Sequence, residues 1–475
     1  MRLPNVSWLA CVVVISSCRA SGDAKAPAAT FTSHGKPVNI AEIDSLVRVA
    51  MGQRGLVGLS VGVAQDGKIV FARGYGSRSL ATHDSVTPQT MFAIGSVTKQ
   101  FTCSAVLLLA QERKLSLQDP VAKYMPHLTR ADDVTLLELG QHVSGYRDYY
   151  PLDFVDREML EARGADSIIA EYATRPLDFE PGTRWSYSNT NFLILGRVVE
   201  RVSGEPFGAF LAHRFFTPLG MTHTTFAPSH QDSAMAHGYT SFALGAATPA
   251  IPEAAGWAGS AGAIWSTPTD LLTWDLALVD GKVLSDESYR TLTTAHRLPD
   301  GRSTGYGCGE GVNDRGEAVV LRHGGAVSGF VAQNTVIPVT RSAVVLLANT
   351  DFAAIDELNS AIVRRLLPHQ DVPVINGPPA LEAARGFLEG LRAGTVNRAT
   401  LGDDFSAFLT PDLLAAARAS LQRAGAISGL QVTNTVERGG MEVAVLRFKV
   451  GAANASALMY RSPDGKIQEL LIYRE

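Results

Sequence analysis

The stretch from Ser96 to Arg113 constrains this chain more than any other. At the helical period it is apolar at Phe101, Ala105, Leu108 and Leu109, and past its first turn charge gathers only at its far end. A helix this apolar does not lie on a surface, so the fold must surround it. Yet Lys99 stands on its first turn, three residues after Ser96. Positions i and i+3 of a helix share a face, so the amine reaches back to the hydroxyl. A serine hydroxyl is a poor nucleophile until a neighbouring base takes its proton. The helix start adds the positive end of the dipole, which favours an alkoxide and then an oxyanion. Ser-x-x-Lys alone is a weak signal, because a plain N-cap and a solvated lysine read the same way. Its position gives it weight: it follows the strand-like run Met91-Phe92-Ala93-Ile94 and opens a buried helix.

Two further elements belong with it. Tyr187-Ser188-Asn189 follows the turn Glu180-Pro181-Gly182 and precedes a helix read from Phe192 to Val202. A phenol there can face a cleft, and a nearby ammonium lowers its pKa from about 10 toward that of a usable base. His323-Gly324-Gly325 ends a strand in a glycine-rich segment. Glycines at a strand edge let another backbone approach closely, so a substrate could pair along that edge. Each element also has a plain structural reading: a core tyrosine with a capping asparagine, and a turn with an incidental histidine.

Taken as a set, these elements resemble the serine β-lactamase and penicillin-binding protein superfamily, on the side of class C β-lactamases, D-alanyl-D-alanine carboxypeptidases and related esterases. The order Ser-x-x-Lys, Tyr-x-Asn and Lys/His-x-Gly is that family's signature. Leu136-Leu137 through His142-Val143-Ser144-Gly145, Gly259 to Asp270, and Tyr306-Gly307-Cys308-Gly309 are similar to further segments of it. The resemblance covers about residues 35 to 367. It implies that Ser96 is acylated and that Lys99 either holds Tyr187 as phenolate or is itself the base. It implies that Asn189 orients the substrate amide and the lysine, and that His323 and Gly325 line the substrate strand. The backbone N–H groups of Ser96 and Ala326 would form the oxyanion hole. One departure stands out. The usual third motif is Lys-Thr-Gly, whose ammonium and hydroxyl hold a carboxylate, whereas imidazole is a weaker anion anchor at neutral pH. Arg322 is adjacent, but strand alternation sends it to the other face.

The expected fold is α+β: a β-lactamase-like antiparallel sheet built from both ends of residues 35–367, flanked by terminal helices, with a helical lobe between. The strands read as Gly58–Ala64, Lys68–Tyr75, Ala318–Arg322, Phe330–Ile337 and Ser342–Ala348, and the terminal helices as Ile40–Met51 and Ile355–Leu367. Thr267-Pro268-Thr269-Asp270 reads as a capping box opening a helix to Leu278. Prolines at 368, 373, 378 and 379 mark a linker over 368–379. Residues 380–475 read as a small α+β domain, helical at Leu381–Leu391 and Thr410–Ala424. Its strands are Glu442–Val450, Ala457–Arg461 and Ile467–Tyr473. Its layout resembles cystatin-like or NTF2-like accessory domains, and dimerisation or shaping of the cleft is its expected use.

At the N-terminus, Arg2 and the short apolar run Trp8–Ile15 read as a secretory signal, too short to span a bilayer. Ile15-Ser16-Ser17-Cys18 resembles a lipoprotein cleavage site, with Cys18 as the lipid-modified residue; ordinary cleavage near Ala20 is the alternative. The chain is then exported, periplasmic or membrane-anchored, and touches a membrane only through that anchor. Cys103 and Cys308 read by default as two buried thiols that pack as small hydrophobes; whether they pair is a matter of geometry that the sequence leaves open. A net charge of −4 with no basic stripe sets nucleic acid aside. No cysteine, histidine and carboxylate spacing implies a metal, and no cofactor is expected. The partner left is a small-molecule or peptide substrate. The expected function is hydrolysis of small esters or amides through an acyl-enzyme. The alternatives are a true β-lactamase and a slowly deacylating penicillin-recognising or peptidoglycan-binding sensor.

Overall fold

The computed structural model describes residues 37–474 except 153, 230–232, 244, 315–317, 353 and 368–372. The signal segment with Cys18, and Pro368 of the linker, lie outside the described residues. The first helix, α1 (Ile40–Arg54), is capped by the Asn39 side chain, which accepts from Ala41 N and Glu42 N. A hairpin follows, β1 (Gly58–Gln65) and β2 (Lys68–Ser79), with a short β3 (Asp84–Ser85). The helical lobe carries α2 (Thr98–Gln111), α3 (Asn189–Ser203), α4 (Pro268–Val279) and α5 (Asp286–Thr293). The chain then returns through β4 (Gly311–Asn313), β5 (Val320–Val327), β6 (Phe330–Ile337), β7 (Ser342–Ala348) and α6 (Asp356–Leu366).

These strands form one antiparallel sheet in the order β3-β2-β1-β7-β6-β5-β4. Its centre joins the two ends of the unit, with Val61 opposite Leu346. Both faces are covered, so β1 and β7 are buried throughout. Leu59, Val61, Val63, Val344 and Leu346 meet Ile43, Val47 and Ile362 of α1 and α6. Ala343, Val345 and Leu347 face the other way, into the core around Phe101 of α2. There α4 lies directly on β1: a Cβ on Gly62 would come 2.8 Å from the Pro268 side chain. This is the α+β arrangement expected, and it buries α2 between sheet and lobe.

A separate C-terminal unit holds α7 (Ala380–Ala393), α8 (Pro411–Ala424) and the meander β8 (Ile427–Arg438), β9 (Met441–Val450), β10 (Ala453–Arg461) and β11 (Ile467–Arg474). It has its own core, including Phe387, Leu388, Leu446 and Met459. The guanidinium of Arg461 is buried against Glu442 at 2.6 Å and donates to Pro378 O at 2.7 Å, which ties the preceding segment to this sheet.

Four expectations need correction. The strand read as ending at Arg322 continues through His323, Gly324 and Gly325 to Val327, because pairing with β6 satisfies that backbone down to the hairpin. Strand β8 escapes the sequence reading: it is an edge strand with polar residues on both sides of its alternation. Thr267 caps Asp270 N at 3.2 Å, but the Asp270 carboxylate binds His223 N and the Thr224 hydroxyl, both at 2.8 Å, so half of the box forms. Cys103 and Cys308 are joined in a disulfide across 205 residues, with Cα atoms 5.8 Å apart, rather than standing as two thiols. No local pattern reports a partner that far along the chain.

Candidate active site

Ser96 does not open an α-helix directly. Gly95–Val97 forms a 3₁₀ turn and α2 proper begins at Thr98. The 3₁₀ turn eclipses i and i+3, which brings Lys99 Nζ to 2.9 Å from Ser96 Oγ. The turn is possible because Gly95 takes φ +51°, where a side chain would be strained and a Cβ would also sit 2.7 Å from Ala326 N. Gly325 is the matching gap. A Cβ there would lie 1.9 Å from Ile94 O and 3.2 Å from Ser96 N. The two glycines let β5 run against the serine turn, so the amide nitrogens of Ser96 and Ala326 share one edge. Pairing of β4 with β5 stops at Arg322, which leaves the His323–Val327 margin to this cleft.

Lys99 is fully buried. Besides Ser96 Oγ, its Nζ meets Asn189 Oδ1 at 2.7 Å and Ala261 O at 2.8 Å. Burial drives its pKa down to about 7, partly opposed by the negative charge of Asp148. Asn189 carries that charge inward: its backbone N and Nδ2 donate to Asp148 Oδ1 at 2.9 and 3.1 Å. Tyr187 stands with its ring 4.8 Å from Lys99 Nζ. Burial raises its phenol well above the ordinary value; the hydrogen bond with Ser96 pulls the other way and loses. The expectation of a phenol lowered by the ammonium is therefore corrected. Desolvation, with the charge of Asp148 adding to it, sets the direction.

The imidazole of His323 is held at both nitrogens. Nδ1 lies 2.6 Å from Gly324 O, a pure acceptor, so Nδ1 carries the proton, and Nε2 accepts from Tyr306 Oη at 2.7 Å. Burial first, then the charge of Lys99, lowers its pKa to about 4. His142 is its counterpart. Nδ1 accepts from Ser188 N at 3.0 Å, the ring packs 4.3 Å from Tyr187 and 4.9 Å from Tyr306, and burial holds it neutral. Arg322 points away, bound to Gln333 and Asp356 on the far face. At the end of β5, Glu253 Oε1 accepts from Ser328 N at 3.0 Å and Tyr150 Oη at 2.6 Å. Thus Ser96, Lys99, Tyr187, Asn189, His323, Gly325 and Ala326 come together. Asp148, the Ala261 carbonyl and the hold of Tyr306 on His323 were missed. Asp148 stands in an irregular segment without periodicity, and a backbone carbonyl leaves no mark on a sequence. Among the described residues no cluster of three or more histidine, cysteine or carboxylate side chains is placed to hold a metal.

Fold and site together define a serine hydrolase superfamily member. Residues 43–366 match the family model described as Beta-lactamase, and the chain belongs to that family. PbpX of Bacillus subtilis (strain 168), which bears a penicillin-binding-protein name, is 31% identical over 251 residues, 52% of this chain. The match spans 60% of the length of that relative. A D-aminopeptidase of Gluconobacter oxydans (strain 621H) is 27% identical over 427 residues, covering 88% of this chain and 79% of the relative. The fold is shared with the octameric penicillin-binding protein homologue of Pyrococcus abyssi, with TM-score 0.61 and 20% identity over 92% of this chain and all of that one.

Proposed function

We propose that this protein hydrolyses small amides or esters through an acyl-enzyme at Ser96, with Lys99 as the base. The observation that carries this is the dehydrated lysine amine 2.9 Å from Ser96 Oγ. An amine with a pKa of about 7 is half free at neutral pH. Ser96 passes its proton to Lys99 as its oxygen bonds the carbonyl carbon, and the displaced electron pair settles on the carbonyl oxygen. The N–H groups of Ser96 and Ala326 receive that oxyanion. Collapse breaks the bond to the leaving group, which takes the proton back from Lys99, directly or across the Tyr187 hydroxyl. Water then repeats the sequence and frees the acid. Because Tyr187 holds its proton, its role in this reading is to pass a proton rather than to act as a phenolate.

The substrate has no carboxylate beside the bond that breaks. Both nitrogens of His323 are occupied and the ring is neutral, Arg322 is on the other face, and the rim carries Asp148 and Glu253. D-amino-acid amides and peptides, and neutral esters, suit that rim better than penicillins do; the D-aminopeptidase relative, which matches over most of the chain, agrees. Export remains part of the proposal, and a disulfide between Cys103 and Cys308 fits an oxidising compartment. Purified protein should be assayed on p-nitrophenyl esters, D-amino-acid amides and nitrocefin. Turnover of esters or amides with little of nitrocefin supports the reading, and rapid nitrocefin turnover with neither of the others contradicts it.

A further inference from the structure

The disulfide lies where three pieces of the site cross. Cys103 is one helical turn past Lys99 on α2. Cys308 stands two residues after Tyr306, whose hydroxyl holds His323. The third piece is the segment that leads to His142. A Cβ on its Gly140 would lie 2.5 Å from Cys308 Sγ and 3.0 Å from Cys103 Sγ. Gly309 fills the last gap: a Cβ there would come 2.6 Å from the Lys99 carbonyl oxygen, and its N–H donates to Gly140 O at 3.2 Å. The stretch between α5 and β4 that carries Tyr306 has no regular element of its own beyond isolated bridges. The cross-link is its covalent tie to α2, the helix that carries Lys99.

We propose that the Cys103–Cys308 bond is a positioning element of the catalytic site: it holds the Tyr306 and His142 segments against α2 and so keeps water from Lys99. This rests on the reading of Ser96 and Lys99 given above. The groups facing the lysine are Ser96 from its own turn, Tyr187, Asn189 with Asp148 behind it, Phe192, the Ala261 carbonyl, and the neutral imidazoles of His142 and His323. Asp148 favours the ammonium, while burial opposes it. Opening the Tyr306 loop lets water nearer the amine and leaves Asp148 in place, so the lysine holds its proton to higher pH.

The test is the rate at which a fluorophosphonate labels Ser96, followed from pH 5 to pH 10 in wild type and in the double variant Cys103→Ala with Cys308→Ala. Wild type should gain rate through about pH 7, the value to which burial brings Lys99. In the double variant that limb should move up by about one to two pH units as desolvation is relieved. Its rate at neutral pH should fall about tenfold or more and recover at high pH. If the double variant does not fold, wild type reduced by dithiothreitol serves instead. The dithiol gives two electrons and two protons to the cystine and becomes the cyclic disulfide, and the same shift is expected. A limb that stays at the wild-type pH after the bond is removed overturns the inference. Wild type that takes no label at Ser96 fails the reading of the nucleophile instead.

Discussion

Lys99 Nζ donates to Asn189 Oδ1 at 2.7 Å, and the nitrogen of the same amide is bound to the Asp148 carboxylate. One side chain thus links a fully buried lysine to a negative charge at the rim. The lysine is desolvated enough to lose its proton near neutral pH, yet is kept from losing it altogether.

Asp148 is therefore a control on the pH profile. Asp148→Asn removes the charge that favours the ammonium, so the acid limb of kcat/KM should move below that of wild type. Asn189→Ala breaks the link and leaves Nζ short of an acceptor. A hydrogen bond to a charged group contributes about 1.5–3 kcal/mol, so a loss of roughly ten- to a hundredfold in kcat is expected. Paired pH–rate profiles check both. An unmoved limb in Asp148→Asn would show that the carboxylate does not reach the lysine electrostatically.

Lys99 should weaken the fold that it serves. Its ordinary pKa is 10.5 and its folded value is about 7. Between those pH values the unfolded chain binds the extra proton, so stability rises with pH and the cost is fully present below the folded value. Lys99→Met keeps the length and removes the charge. At pH 7 it should abolish turnover and raise stability by at least about 1 kcal/mol. Chemical denaturation at pH 7 and pH 10 reads this, and the gain should shrink at the higher pH.

The buried imidazoles act at the other end of the scale. His323 falls from 6.5 unfolded to about 4 folded, and His142 is lowered well below 6.5. For a base with a depressed folded pKa there is no penalty above the unfolded value. The penalty grows as pH falls toward the folded one. Stability should drop between about pH 6.5 and pH 4, and His323→Gln should flatten part of that drop in a thermal-melt series.

Much of this was legible in the sequence where a local rule decides. Phe330–Ile337 and Ser342–Ala348, strand-like runs spaced for a meander, come out end for end, and Thr410-Pro411 gives the start of α8. Ser96, Lys99 and Tyr187 stand at helix starts, and together with His323 their order along the chain matches a family signature. What failed depends on distant partners. The disulfide joins residues 205 apart, and the Asp270 carboxylate turns to Thr224 instead of its own helix. The rise of the Tyr187 phenol needs the packing around it to be known. A tyrosine beside a lysine looks acidified on paper; burial reverses the sign.

The third motif separates this site from one that holds a carboxylate. Wild type should prefer neutral esters or amides to benzylpenicillin. His323→Lys supplies an ammonium on the face of β5 that looks into the site, and should move the ratio of kcat/KM toward the penicillin by about ten- to a hundredfold. Penicillin turnover equal to that of esters in wild type would place the anion anchor elsewhere.

The central claim is that Ser96 is the nucleophile and Lys99 its base. The direct measurement is mass-spectrometric mapping of the adduct left by a fluorophosphonate, in wild type, Ser96→Ala and Lys99→Met. A single labelled peptide containing Ser96 is expected, with no label in Ser96→Ala and labelling slowed by at least about a hundredfold in Lys99→Met. A label on any other serine, or undiminished labelling of Ser96→Ala, would contradict it.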